Sequence, residues 1–326
     1  MGSLPNPVVV EDLFGILKLY NDGSIYRSTE IDLTHFPDHD DGTITWNDYL
    51  YDEKNSLYLR LYKPNSCSTT IKKLTIVYFL HGGGFCLGSR TWPNFHNCCI
   101  RLASALNVLV IAPDYRLAPE NRLPAALEDC LNSLLWLQAQ AFSNSEISVF
   151  GDVHNGDFDL DRVFVIGDSS GGNLAYHLAV RLGPGSLELA PVRVRGYVLI
   201  APFLGGVEKT KSELKGSHDV LNLEVLDRFW RLSLPDGHDL DDPLSNPFGP
   251  KSPNLGTVSL DPILVMVGGN EVMKDRIHQF AAKLKLLGKS IRYVEYEGKH
   301  HGFFTDDAFS EFADDVLREI QKFISR

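Results

Sequence analysis

Gly167-Asp168-Ser169-Ser170-Gly171 sets a serine between two glycines, in the spacing Gly-x-Ser-x-Gly. A serine hydroxyl is a weak nucleophile unless a neighbouring base takes its proton as it attacks. Flanking glycines let it sit on a sharp strand-to-helix turn, where a Cβ on either side would clash. The helix after the turn aims free N–H groups at the site and favours negative charge there. A second run, His81-Gly82-Gly83-Gly84-Phe85, can aim backbone N–H groups at the oxyanion of a tetrahedral intermediate. Losing one such donor typically costs ~2.7–4 kcal/mol of barrier. The N–H groups of Gly83, Gly84 and Ser170 are the candidate donors, and His81 is read as a brace for the loop.

The base must come from the eleven histidines. His300 and His301 follow an expected strand near the C-terminus, and His301, which precedes Gly302-Phe303, is the candidate. His96, His154 and His177 are read as packing or surface residues. A carboxylate is needed to orient the imidazole and stabilise its cation. Glu271, in Gly268-Gly269-Asn270-Glu271, stands at the end of another expected strand, and Asp275 is its competitor. Asp114-Tyr115-Arg116-Leu117-Ala118-Pro119-Glu120 is a third polar cluster. It is read as a brace, with Asp114 paired to Arg116 and Glu120 near the nucleophile turn. Asp168 is read as support for that turn.

These residues need elements to hold them. Leu74–Leu80 and Val108–Ala112 are continuous apolar runs, as in strands buried on both faces. Leu57–Tyr62, Arg162–Ile166, Val194–Ile200, Ile263–Val267 and Ser290–Tyr296 read as further strands; Arg122–Ala139, Asn173–Arg181 and Phe309–Phe323 read as helices. Such alternation implies a single α/β domain over 1–326, a mostly parallel sheet with helices on both faces. Two stretches do not fit the sheet, about 1–50 and 207–250. Val8–Tyr20 fits helix and strand equally, Ile16–Ser28 looks like a hairpin, 35–43 reads as loop, and Leu221–Leu232 has helical spacing. Both stretches are expected to cap the C-terminal edge of the sheet, where ligands bind in such folds. Phe85, Phe203, Phe229 and Trp230 are the candidate substrate-lining residues.

The net charge of −11 argues against nucleic acid and anionic membrane as partners. No apolar run approaches the ~20 residues of a membrane span. Five cysteines, Cys67, Cys86, Cys98, Cys99 and Cys130, include no Cys-x-x-Cys pair and read as free thiols. The first fifteen residues have no basic region followed by a long apolar run, and Asn6 stands where myristoylation wants Ser or Thr. A cytoplasmic protein without metal or cofactor is expected, with the nucleus also open. Monomer and homodimer both remain open.

His81–Phe85, Asp114–Glu120, Gly167–Asn173 and His301-Gly302-Phe303 resemble the motifs of plant carboxylesterases in the hormone-sensitive-lipase-like family. The resemblance covers essentially the whole chain and implies the α/β-hydrolase fold, in which nucleophile, acid and histidine occur in that order. Gly88–Asn97, Pro191–Leu199, Arg228–Pro235 and Asn246–Pro250 are similar to the members that hydrolyse strigolactones. That similarity implies attack by Ser169 on a butenolide carbonyl, giving a tricyclic lactone and a hydroxybutenolide. Glu271 departs from the Asp of many relatives. Related dehydratases and alkaloid cyclases imply elimination or cyclisation as an alternative. Gibberellin receptors imply binding without turnover, but they lack the histidine that His301 supplies here.

Overall fold

Alternation along one strand shows how the sheet is covered. In the strand Leu74–Leu80, Ile76, Tyr78 and Leu80 pack into one hydrophobic cluster, while Val77 and Phe79 pack into another on the opposite face. Period-two side chains therefore find a helical layer on each side. The computed structural model describes residues 7–33, 35–37, 39–65, 73–142, 158–215 and 221–326. Cys67 and His154 lie outside them.

The strands are β1 (Val9–Leu13), β2 (Leu17–Tyr20), β3 (Ile25–Arg27), β4 (Ile44–Asp52), β5 (Leu57–Pro64), β6 (Leu74–Leu80), β7 (Leu109–Pro113), β8 (Phe158–Asp168), β9 (Val194–Ile200), β10 (Ile263–Gly268) and β11 (Ile291–Tyr296). The helices are α1 (Pro93–Leu106), α2 (Ala125–Phe142), α3 (Ser170–Leu182), α4 (Lys211–Lys215), α5 (Leu223–Ser233), α6 (Lys274–Leu286) and α7 (Glu311–Ile324). The main sheet has eight strands in the order β11-β10-β9-β8-β6-β7-β5-β4. β5 is antiparallel to both neighbours and every other pairing is parallel. Helices α2, α3 and α6 cover one face, and α1 and α7 the other. β8, which carries the serine, lies between β6 and β9 inside the sheet.

The expected α/β architecture is present, with three differences. Ile44–Asp52 is β4 of the main sheet, so the N-terminal cap ends before residue 44. It is a largely exposed edge strand whose apolar residues are interrupted by Asn47-Asp48, which hid it from a search for apolar runs. Val8–Tyr20 resolves as strands: β1, β2 and β3 form a separate antiparallel sheet, and the hairpin of β2 and β3 is as expected. The expected Asp114–Arg116 pair does not form. Asp114 accepts from Arg90, while Arg116 binds the fully buried Asp129 of α2 at 2.8–3.0 Å. A carboxylate without water needs a cation more than an exposed one does.

The cap sheet is fastened by side chains. Arg27 donates to the carbonyls of Cys86 and Ala118, each at 2.7 Å, and to both oxygens of Glu120. Glu120 thus holds the cap and not the nucleophile turn. Glu11 accepts from Arg231 on α5. α5 buries Leu226, Phe229, Trp230 and Ser233, an i, i+3, i+4, i+7 stripe, and Asn222 caps its start by accepting from the N–H of Val225.

Candidate active site

β8 ends at Asp168 and α3 begins at Ser170, so Ser169 carries the whole turn. Its φ of 54° and ψ of −116° lie outside the ordinary regions for a residue with a Cβ. Such strain costs on the order of 1–3 kcal/mol and persists only when surroundings enforce it. Here the Ser169 N–H donates to the Ile200 carbonyl (2.9 Å), and the Ser169 carbonyl accepts from Asn173 (3.1 Å) and Phe203 (2.8 Å). The glycines are obligatory: a Cβ at Gly167 would stand 2.0 Å from the Gly171 carbonyl oxygen, and one at Gly171 2.0 Å from that of Leu80.

The loop after β6 turns on Gly83 (φ +113°) and Gly84 (φ +60°). The Gly83 carbonyl accepts from Cys86 (3.0 Å) and Leu87 (2.9 Å). The N–H groups of Gly83 and Gly84 meet no backbone acceptor among the described residues. His81 braces this loop: its Nδ1 lies 2.8 Å from the Gly82 carbonyl, its ring stacks on Tyr115 at 4.2 Å, and the Tyr115 hydroxyl donates to its carbonyl.

Two loops at the end of the sheet bring acid and imidazole together. Asn270, after β10, donates its N–H to the carbonyl of Lys299, after β11, at 2.9 Å. That leaves Glu271 Oε1 2.6 Å from His301 Nδ1. Burial alone would discourage the imidazolium. The charge and hydrogen bond of Glu271, with lesser help from Asp168 and Asp306, outweigh it and hold His301 at about 9. Asp275 is turned elsewhere, accepting from the N–H of Ser212 and so tying α4 to α6. Asp168 is buried beneath the turn, 3.3 Å from the Thr305 hydroxyl; burial, then Asp306 and Glu271, push its carboxyl up to about 7. His96 bonds the Tyr62 hydroxyl and packs on Trp46, and His177 lies against the Leu244 carbonyl.

Ser169, Glu271, His301, Gly83 and Gly84 all line one cavity of about 630 Å³. Phe14 and Ile16 from the N-terminal cap, and Leu221, Leu226 and Phe229 from the second cap segment, form its apolar wall with Phe203. Phe85 and Trp230, expected to line it, do not reach it: Phe85 is fully buried, and Trp230 stacks flat on Phe203 at 4.2 Å. They are the layer that holds the lining in place. Ser170 opens α3 directly after Ser169, fully buried and outside the cavity lining. Sequence reading missed Asn94, Thr305 and Asp306, which also line the cavity. The apolar pattern of Leu226, Phe229 and Trp230 could have added Leu226; no pattern marks a lone polar residue. Among the described residues no three His, Cys, Asp or Glu side chains gather as metal ligands would.

A family profile described as alpha/beta hydrolase fold (Abhydrolase_3) matches residues 77–305. Carboxylesterase 20 of Arabidopsis thaliana is 36% identical over 92% of this chain and 92% of its own. The 2-hydroxyisoflavanone dehydratase of Glycyrrhiza echinata is 31% identical over 95% of this chain and 94% of its own. Among solved structures, an esterase from Pyrobaculum calidifontis superimposes with a TM-score of 0.68 at 27% identity, over 90% of this chain and 87% of that one. A thermostable carboxylesterase from a metagenomic library gives 0.70 at 27% identity, over 90% and 91%. With a profile spanning most of the chain and a plant relative alike along nearly all of it, the protein belongs to the plant hormone-sensitive-lipase-like carboxylesterases of the α/β-hydrolase family and is a serine ester hydrolase.

Proposed function

We propose that Ser169, His301 and Glu271 are the triad of this esterase, with the N–H groups of Gly83, Gly84 and Ser170 as the oxyanion hole. The observation that carries the reading is the Glu271–His301 contact of 2.6 Å opening on the same cavity as the strained Ser169. In the cycle, Ser169 Oγ attacks the ester carbonyl while His301 Nε2 takes its proton. The carbonyl electrons move to oxygen, facing the three N–H groups. Collapse breaks the bond to the alcohol, which leaves with the proton from His301. Water then adds to the acyl-enzyme, giving its proton to His301, and the acid departs as Ser169 regains its hydrogen.

Strigolactones are the proposed natural substrates. The support is the resemblance in Gly88–Asn97, Pro191–Leu199, Arg228–Pro235 and Asn246–Pro250, together with a cavity large and apolar enough for a ligand of that size. The test is mass spectrometry of a strigolactone incubated with wild type and with Ser169→Ala. Release of the tricyclic lactone and the hydroxybutenolide by wild type alone supports both proposals. Survival of the strigolactone while a nitrophenyl ester is cleaved removes the substrate and leaves the triad. Turnover by Ser169→Ala removes the triad. The relationship to a dehydratase makes a second reading concrete: its mark would be a product lighter than its substrate by one water, where hydrolysis adds one.

A further inference from the structure

The cavity is apolar on its cap side, and Asn94 is a polar group in it that the mechanism does not use. Asn94 stands in the first turn of α1, 8% exposed, between Trp92 and Phe95, which also line the cavity. Its Oδ1 is buried and meets no hydrogen-bond partner among the described residues. A buried amide with an empty end is disfavoured relative to an apolar side chain of the same shape, so folding gives no reason for an asparagine here. Two other unpaired oxygens of the cavity, on Asp168 and Glu271, belong to groups beside Ser169 and His301. Asn94 does not.

We propose that Asn94 is a specificity residue that recognises a hydroxyl group on a neutral ester substrate. The two ends of an amide exchange by a half-turn of the side chain, one donating and one accepting. A hydroxyl satisfies either end, because it both gives and receives a hydrogen bond. The charge of the surroundings narrows the choice. Asp168, Glu271 and Asp306 line the cavity, and once His301 has lost its proton to become the base they leave it net negative, so a carboxylate or phosphate on the substrate meets repulsion while a hydroxyl does not. A site built to bond a hydroxyl rejects the analogue lacking it, because its own polar group then stays unpaired. The inference rests on the Ser169 cavity being where esters bind.

The experiment compares kcat/KM for two substrate pairs: 4-nitrophenyl butyrate against 4-nitrophenyl 3-hydroxybutyrate, and propyl butyrate against glycerol 1-monobutyrate. The first pair places the hydroxyl on the acid, the second on the alcohol. Wild type should favour the hydroxylated member of one pair by roughly tenfold, mainly through KM. Asn94→Leu should lose that preference and should melt at a higher temperature than wild type, which a structural asparagine would not allow. Equal rates within both pairs in wild type overturn the proposal. So does a preference that survives in Asn94→Leu, or an Asn94→Leu protein that melts lower or fails to fold. Failure of the triad is a separate event, visible as activity in Ser169→Ala whatever the ratios show.

Discussion

The nucleophile side of the cavity and the cap side are built by opposite rules. Around Ser169 the chain is packed backbone to backbone, with no room for a Cβ at Gly167, Gly171 or Gly83. The cap is joined through long side chains: Arg27 to Glu120, Arg231 to Glu11, Lys209 to Asp227. A catalytic constellation tolerates errors of only a few tenths of an ångström, and carbonyls and amides locked into a sheet hold that tolerance. A wall that shapes a cavity needs less. Surface ion pairs contribute little each and are easily exchanged. On the proposed mechanism, chemistry is therefore fixed where the backbone is, and substrate range falls to side chains.

The largest effect should follow from disturbing the rigid side. Glu271→Gln keeps the shape of the side chain but removes the charge that sustains His301. By analogy with other triads kcat should fall by about four orders of magnitude. The pH profile gives a sharper reading. His301 is held at about 9, so its basic form and the rate should increase as pH rises toward that value. Without the Glu271 charge, burial is opposed only by Asp168 and Asp306, and the inflection should move to lower pH. Rate measurements from pH 5 to 10 check both. An unmoved inflection would remove Glu271 from the site.

One contact joins the two regions and can break the contrast between them. A Cβ on Gly84 would lie 2.3 Å from the ring of Phe229, a cap residue. Gly84→Ala should therefore displace one of the proposed oxyanion donors and lower kcat on the order of 10²–10³-fold, the usual cost of losing one. If the ring is the obstacle, adding Phe229→Ala should restore much of kcat while KM rises from the lost wall. If the double variant is no better than the single one, the φ of +60° at Gly84 is the constraint and the cap has no hold on the chemistry.

The same division explains what was legible in the sequence. Gly167, Ser169, Gly171 and Gly83 announce themselves because backbone geometry admits few residue types, and type is what a sequence displays. Glu271 and His301 could be placed because they follow buried strands whose apolar runs are unmistakable. The cap was legible only as two stretches that did not fit. Val8–Tyr20 is strand because it pairs locally, β1 with β2 and β2 with β3, a pairing that apolar spacing does not display; where that small sheet sits depends on partners far along the chain, Arg231 lying 220 residues from Glu11 and Glu120 93 from Arg27. Phe85 and Trp230 look like lining by type, yet the turn at Phe85 and the packing of α5 at Trp230 place both against Phe203 and outside the cavity. Asn94 left no mark, because its significance lies in what it fails to touch.

On the cap side the effects should be smaller and fall on KM. Arg27→Ala removes the hydrogen bonds to Cys86, Ala118 and Glu120 that anchor β3 beside the glycine loop. KM for a bulky ester should rise on the order of tenfold, equivalent to roughly 1–2 kcal/mol, with a lesser change for an acetate ester. Deleting residues 1–26 should show the same selectivity. Steady-state kinetics with nitrophenyl acetate and a long-chain nitrophenyl ester decide it; equal losses on both would mean the cap sheet supports the whole fold.

The smallest effect concerns the cost of the rigid side. His301 binds its proton more tightly folded than unfolded, at about 9 against an ordinary 6.5. Its contribution to stability is fully present below pH 6.5 and is lost as pH rises through 9. Asp168 is raised from 3.8 to about 7, so holding its charge underneath the turn becomes a burden as pH rises across that window. Both groups keep extra protons in the folded state, and both make stability fall with rising pH. Activity, which needs unprotonated His301, should rise over the same range. Asp168→Asn should flatten the melting-temperature profile between about pH 4 and 7 and leave the decline from 6.5 to 9 in place, as read by thermal denaturation across the series. An unchanged slope below pH 7 would mean that the Thr305 hydroxyl and neighbouring dipoles already accommodate the Asp168 charge, and that the strain at Ser169 is the only cost the turn carries.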